Sequence, residues 1–167
     1  WMLRVEAVIF AASEPVTRET LARVVGKDCS IGLLIDDLRD DLSNRPYDLV
    51  SIAGGWQYRT RAAFGPVILA SEAPTRTPGA SLSKTEAAVL AAIAYLQPVT
   101  RAALTQLFGK DVSRDLLARL RFKDLITSGP RAPRTGAPHT FVTTETFLVT
   151  FDLQSLRDLP ELELPKP

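Results

Sequence analysis

Residues 10–28 read FAASEPVTRETLARVVGKD, and residues 93–111 read IAYLQPVTRAALTQLFGKD. The two stretches align at a constant offset with no gap. Identical pairs are Ala11/Ala94, Pro15/Pro98, Val16/Val99, Thr17/Thr100, Arg18/Arg101, Leu21/Leu104, Gly26/Gly109, Lys27/Lys110 and Asp28/Asp111. Each repeated residue has a local physical role. Thr17 and Thr100 suit an N-cap, where a hydroxyl accepts from the free amides of a first helical turn. Val16 and Val99 precede those caps and Leu21 and Leu104 follow at the fourth helical position, which is the spacing of a hydrophobic staple. Pro15 and Pro98 disfavour helix at the residue before them and so end the preceding helix. Gly26 and Gly109 suit the left-handed position that stops the next one. Each copy therefore encodes helix, sharp turn, short helix and stop.

Reading onward, each copy acquires a third helix. Ser30 can cap one with apolar Ile31, Leu34, Ile35, Leu38 and Leu42, leaving Asp36, Asp37, Arg39, Asp40 and Asp41 to the wet side. Ser113 can cap a second with Leu116, Leu117 and Leu120 inside and Arg114, Arg119, Arg121 and Lys123 outside. The period then changes to alternation. Residues 47–52 and 56–61 read as strands about the turn 53–55, and residues 125–128 and 140–144 as strands about a Pro/Arg/Gly loop. Short apolar helices are predicted at 63–70, broken early by Gly65-Pro66, and at 145–151. The stretch 87–96 is apolar nearly all round, which predicts a helix buried on most sides. Ser83 with Glu86 opens it as a capping box.

The predicted fold class is mainly α with small β-hairpin wings, as two tandem winged-helix domains. Residues 1–71 form the first, 72–82 a Pro-containing linker, 83–152 the second and 153–167 an acidic Pro-containing tail.

Composition narrows the function. Apolar residues make up 46% of the 167 and charged residues 23%, enough to bury a core and too few charges for a disordered chain. The single cysteine, Cys29, rules out an internal disulfide, so a reducing compartment is expected. The N-terminal stretch lacks a signal-peptide layout, and no apolar run approaches the roughly 20 residues of a membrane span. Net charge is +1 but uneven. Residues 1–71 hold 8 Lys/Arg against 9 Asp/Glu, residues 72–139 hold 10 against 5, and residues 140–167 hold 2 against 5.

Reactive groups are sparse. Cys29 and the only histidine, His139, could form a nucleophile–base pair, but a half-buried thiol and a loop imidazole describe them as well. One Cys and one His fall short of the four ligands of a zinc site. No catalytic, metal-binding or cofactor-binding residues are assigned, and no cofactor is expected. A winged helix often lays its third helix in the DNA major groove and its wing on the backbone. In the second module that places Arg114, Arg119, Arg121 and Lys123 on the helix and Arg131 and Arg134 on the wing as candidate phosphate contacts. The corresponding first-module helix carries aspartates, which DNA repels. A DNA-binding transcription regulator is therefore one of two readings.

The other comes from resemblance. The block Ile93-Ala94-Tyr95-Leu96-Gln97-Pro98-Val99-Thr100-Arg101 resembles the segregation and condensation protein B family, as do residues 143–148 and 151–160. Residues 6–15 and 52–61 in the first half are similar to it in the same order. The family-like positions are Pro15, Thr17, Gly26, Tyr95, Gln97, Pro98, Thr100, Arg101, Gly109, Gly136 and Pro138. The chain departs from the family pattern at Leu107-Phe108-Gly109-Lys110, where an Arg-Gly pair is usual, and at Ala137, where the wing usually carries arginine. The resemblance implies a non-enzymatic, cytoplasmic, nucleoid-associated subunit that dimerises through its first module. It also implies binding to the central segment of a kleisin, segregation and condensation protein A, and through it to an SMC ATPase that compacts and segregates the chromosome. DNA contact would be weak. Ordering a flexible kleisin segment requires apolar surface to offset the lost entropy. Trp56, Tyr58, Phe141, Phe147 and Leu148 are the candidates to supply it, with core packing the competing role, strongest for Phe147 and Leu148.

Overall fold

Thr17 Oγ1 accepts from Thr20 N at 3.3 Å and Thr100 Oγ1 from Ala103 N at 3.2 Å, so both copies of the repeated threonine start a helix. In the computed structural model, which describes residues 1–26, 28–72, 81–133 and 136–161, the chain forms two compact units. One comprises Trp1–Arg76 with Asp152–Ser155, the other Thr77–Phe151 with Leu156–Pro167. Most of the linker 72–82 and the end of the tail lie outside the described residues.

The first unit runs α1 (Met2–Ala11), β1 (Val16–Thr17), α2 (Arg18–Val25), α3 (Ile31–Asp41), β2 (Tyr47–Ile52), β3 (Gly55–Thr60) and α4 (Gly65–Ala70). Its antiparallel sheet has the order β1-β3-β2. Val5 and Ile9 of α1, Leu21 and Val25 of α2, Ile35 and Leu38 of α3 and Leu49 of β2 make the core. These are the helical and alternating positions of the sequence pattern, now facing one another. Ser30 caps α3.

The second unit repeats the order as α5 (Lys84–Leu96), β4 (Val99–Thr100), α6 (Arg101–Phe108), α7 (Arg114–Phe122), β5 (Ile126–Ser128), β6 (Thr140–Thr143) and α8 (Glu145–Thr150). Its sheet is β4-β6-β5, again antiparallel. Ile93, Leu104, Leu120, Leu125 and Ile126 are its most deeply buried side chains. The described residues are therefore about half helical, with one small antiparallel sheet in each unit.

Three local expectations are corrected. The turn between β2 and β3 has two residues, Ala53 (φ 48°) and Gly54 (φ 74°), because Gly55 is already paired with Ile52. Pro66 opens α4 in its first turn instead of breaking a helix, since proline there removes an amide that had no partner. The helix α5 is not buried on most sides. It buries Glu86, Val89, Leu90, Ile93 and Ala94, while Ala87, Ala88 and Ala91 face solvent. Alanine counts as apolar in a pattern but loses little by exposure.

Candidate partner-binding groove

Polar contacts sort the predicted basic residues into two groups. Arg119 Nε donates to Glu86 Oε1 at 2.9 Å, and Lys123 Nζ donates to the Ser81 carbonyl at 2.6 Å. Arg131 donates to Ala137 O at 3.0 Å, which ties the wing to itself. These three cations bond acceptors of their own unit, while Arg119 and Arg131 stay exposed to solvent as the sequence placed them. Arg134 lies outside the described residues. Arg114 and Arg121 are exposed on α7, and their side chains make no hydrogen bond or ion pair to another described residue.

Those two arginines edge an open groove of about 560 Å³ in the second unit, between α6, α7 and β6. Leu117 and Ala118 floor it, Phe141 forms one wall, and Thr100, Arg101, Pro138 and His139 complete the lining. Arg101 is partly committed, donating to Asp111 Oδ1 and to Val112 O at 3.2 Å each. Among the described residues no carboxylate lines the groove, and of its three arginines Arg114 and Arg121 have no acidic partner. The sequence assigned Phe141 to apolar partner contact and Arg114 and Arg121 to phosphate contact, yet the fold brings them to one concavity.

Packing explains the placement. The strand β4 pairs Val99 with Phe141 and Thr100 with Thr140. Thr140 is buried and its hydroxyl donates to Pro130 O. Gln97 holds the other end, its amide oxygen accepting from Thr143 N at 2.8 Å and its amide nitrogen donating to Ala94 O at 3.1 Å. Tyr95 donates to Pro160 O at 2.6 Å. The family-like Tyr95, Gln97 and Thr100 thus brace the end of α5 and the strand that carries Phe141. Gly109, at φ 64°, stops α6. Gly136, at φ 82°, supplies a left-handed turn in the wing before Pro138, and Gly26 turns the chain after α2 at φ 76°.

The other apolar candidates have different surroundings. Phe147 is only 4% exposed and packs on Phe151 at 4.9 Å, so it belongs to the core; Leu148 is half-buried. In the first unit Trp56 pairs with Val16, the register position that Phe141 holds against Val99. Arg18 lies over the Trp56 ring at 6.0 Å, so that aromatic face already has a cation. Tyr58 sits edge-on between Phe10 at 6.5 Å and Tyr47 at 5.8 Å. Burial, with Glu6 and Tyr47 nearby, pushes its hydroxyl pKa up to about 12.

Sequence reasoning missed Leu3 and Phe10. They stand 75% and 70% exposed on α1, with exposed Ala7 between them at helical spacing. The signal was present as a second apolar row beside the buried Val5 and Ile9. Cys29 is half-buried against the first core and His139 is exposed in the second unit, so they belong to different units. Among the described residues no helix is long and apolar enough to cross a membrane.

Comparison with known proteins gives a consistent result. The family model for segregation and condensation complex subunit ScpB matches residues 3–162. A segregation and condensation protein B homolog from Coxiella burnetii is 34% identical, covering 95% of this chain and 77% of that protein. Segregation and condensation protein B from Desulforamulus reducens is 37% identical, over 95% of this chain and 87% of that protein. The crystal structure of ScpB from Mycobacterium tuberculosis is 30% identical with a TM-score of 0.40, covering 90% of this chain and 94% of that one. A match across nearly the whole length, joined to two relatives above 30% identity, settles the lineage: the chain belongs to the segregation and condensation complex subunit ScpB family.

Proposed function

We propose that the protein is a non-enzymatic accessory subunit of a bacterial SMC–kleisin complex, built of tandem winged-helix domains and holding a segment of the kleisin. The domains are 1–71 and 83–152, joined by 72–82 and followed by the tail 153–167. The order helix, strand, helix, helix, strand, strand in each unit, with a three-stranded antiparallel sheet, supports the winged-helix reading. The observation that carries the function is the groove of the second unit, where an apolar floor and Phe141 lie beside two unpaired arginines. Such a surface suits a flexible protein segment that buries a few apolar side chains while charge fixes its register. The exposed row of Leu3, Ala7 and Phe10 supports dimerisation through the first unit. The protein then acts in the cytoplasm, at the nucleoid.

Co-purification with the cognate kleisin tests this reading. A stable complex is expected, and failure of two folded, purified proteins to associate would overturn it. A DNA-binding regulator remains the second reading, because Arg114 and Arg121 are exposed on α7. It predicts sequence-selective duplex binding with a steep salt dependence. The inward ties of Arg119, Lys123 and Arg131 weigh against it.

A further inference from the structure

We infer that the segment taken by the second unit's groove is an amphipathic helix carrying carboxylates seven residues apart, with apolar side chains three and four residues after the first. This rests on the reading of the groove as a kleisin site and specifies the chemistry it selects. Arg114 and Arg121 are seven residues apart on α7, so they lie on one face about 10 Å apart along the axis, at 1.5 Å per residue. Leu117 and Ala118 fall between them, three and four residues after Arg114, and floor the groove. A ligand helix laid along α7 with the same spacing meets arginine with carboxylate at both ends and apolar floor with apolar side chain in the middle. An extended segment fits worse, because residues about 10 Å apart along a strand sit three positions apart and point to opposite faces.

Charge fixes the sign of the occupant. Among the described residues the groove lining contains three arginines and no carboxylate, and only Arg101 has an acidic partner, Asp111. The first unit provides the contrast. Its α3 exposes Asp36, Asp37, Asp40 and Asp41, and Arg18 already occupies the face of Trp56. An acidic helix is therefore taken by the second unit and repelled by the first. A duplex backbone matches the groove less well. The cations that would extend a phosphate track, Arg119, Lys123 and Arg131, are held by acceptors of the protein itself, and the floor is apolar.

The test uses the full chain and the purified cognate kleisin, titrated by calorimetry at low and high salt. Replacing both arginines (Arg114→Gln with Arg121→Gln) is expected to weaken binding by roughly 30-fold or more and to flatten its salt dependence. The paired lysine variant (Arg114→Lys with Arg121→Lys) should keep the salt dependence while losing part of the affinity, since lysine keeps the charge without the fork. Both sites are exposed, and thermal unfolding of each variant checks that it folds. Kleisin bound equally well by wild type and the glutamine variant overturns the inference and leaves the proposed function standing. Absence of kleisin binding by the wild-type chain overturns both. Loss of duplex binding with kleisin affinity intact assigns the arginines to DNA and overturns the inference alone.

Discussion

The carboxylate of Glu86 accepts from Ser83 N at 2.9 Å through one oxygen and from Arg119 Nε at 2.9 Å through the other. It is 6% exposed, and the Ser83 amide, then Arg119, hold its pKa at about 2, below its ordinary 4.5. A depressed folded-state pKa means that this stabilisation is complete above pH 4.5 and is lost as the pH falls through 4.5 toward 2. Glu86→Gln should therefore lower the thermal unfolding midpoint at neutral pH. The gap from wild type should close across that acid window, and a gap independent of pH would refute the assignment. Gly55 is constrained differently. A Cβ there would stand 2.9 Å from Val16 O, a backbone atom that cannot swing aside. Gly55→Ala should cost about 1–3 kcal/mol by overpacking, read as a lower denaturant midpoint, whereas the same change at half-buried Gly65, with nothing near its Cβ, should be close to neutral.

Among the elements, the capped helices were the most legible from sequence. Thr17, Ser30, Ser83, Thr100 and Ser113 all accept from an amide three residues on, because a hydroxyl at a helix start acts locally and needs no tertiary context. Thr100→Ala should therefore cost about 1 kcal/mol, measured by denaturant unfolding, and Thr100→Ser should recover most of it. The two-residue strands β1 and β4 were not legible. Val16-Thr17 and Val99-Thr100 are too short to show alternation, and they pair only because the second strand of each hairpin, β3 or β6, arrives alongside. The groove was half legible. The sequence places Arg114 and Arg121 on one helix face, but their meeting with Phe141 depends on the register of β6, a long-range fact. The bonds of Arg119 and Lys123 to their own unit were not legible for the same reason. Arg119 faces outward on a helical wheel, and only the fold brings Glu86 of α5 within its reach.

At the scale of the whole molecule, one architecture has been used twice with opposite surfaces. Both units keep the capped helix, the short strand and an aromatic at the same register position, Trp56 in one and Phe141 in the other. Their exposed chemistry differs, with an aspartate-rich α3 and an apolar α1 row in the first and an arginine-edged groove in the second. A duplication that retained both copies can divide self-association from partner capture, and that division can be measured. Phe10 is 70% exposed, so Phe10→Asp removes little intrinsic packing. Placed in a self-complementary interface, a carboxylate would be buried opposite apolar surface and, through the two-fold axis, would be introduced twice. Light scattering should then show a shift from dimer to monomer, with the dissociation constant raised by at least roughly 30-fold, the equivalent of about 2 kcal/mol at a buried aromatic anchor. The glutamine pair at Arg114 and Arg121 should leave the mass unchanged, since those residues belong to the other unit. A Phe10→Asp protein that remains dimeric at high dilution would remove the first unit's apolar row from self-association.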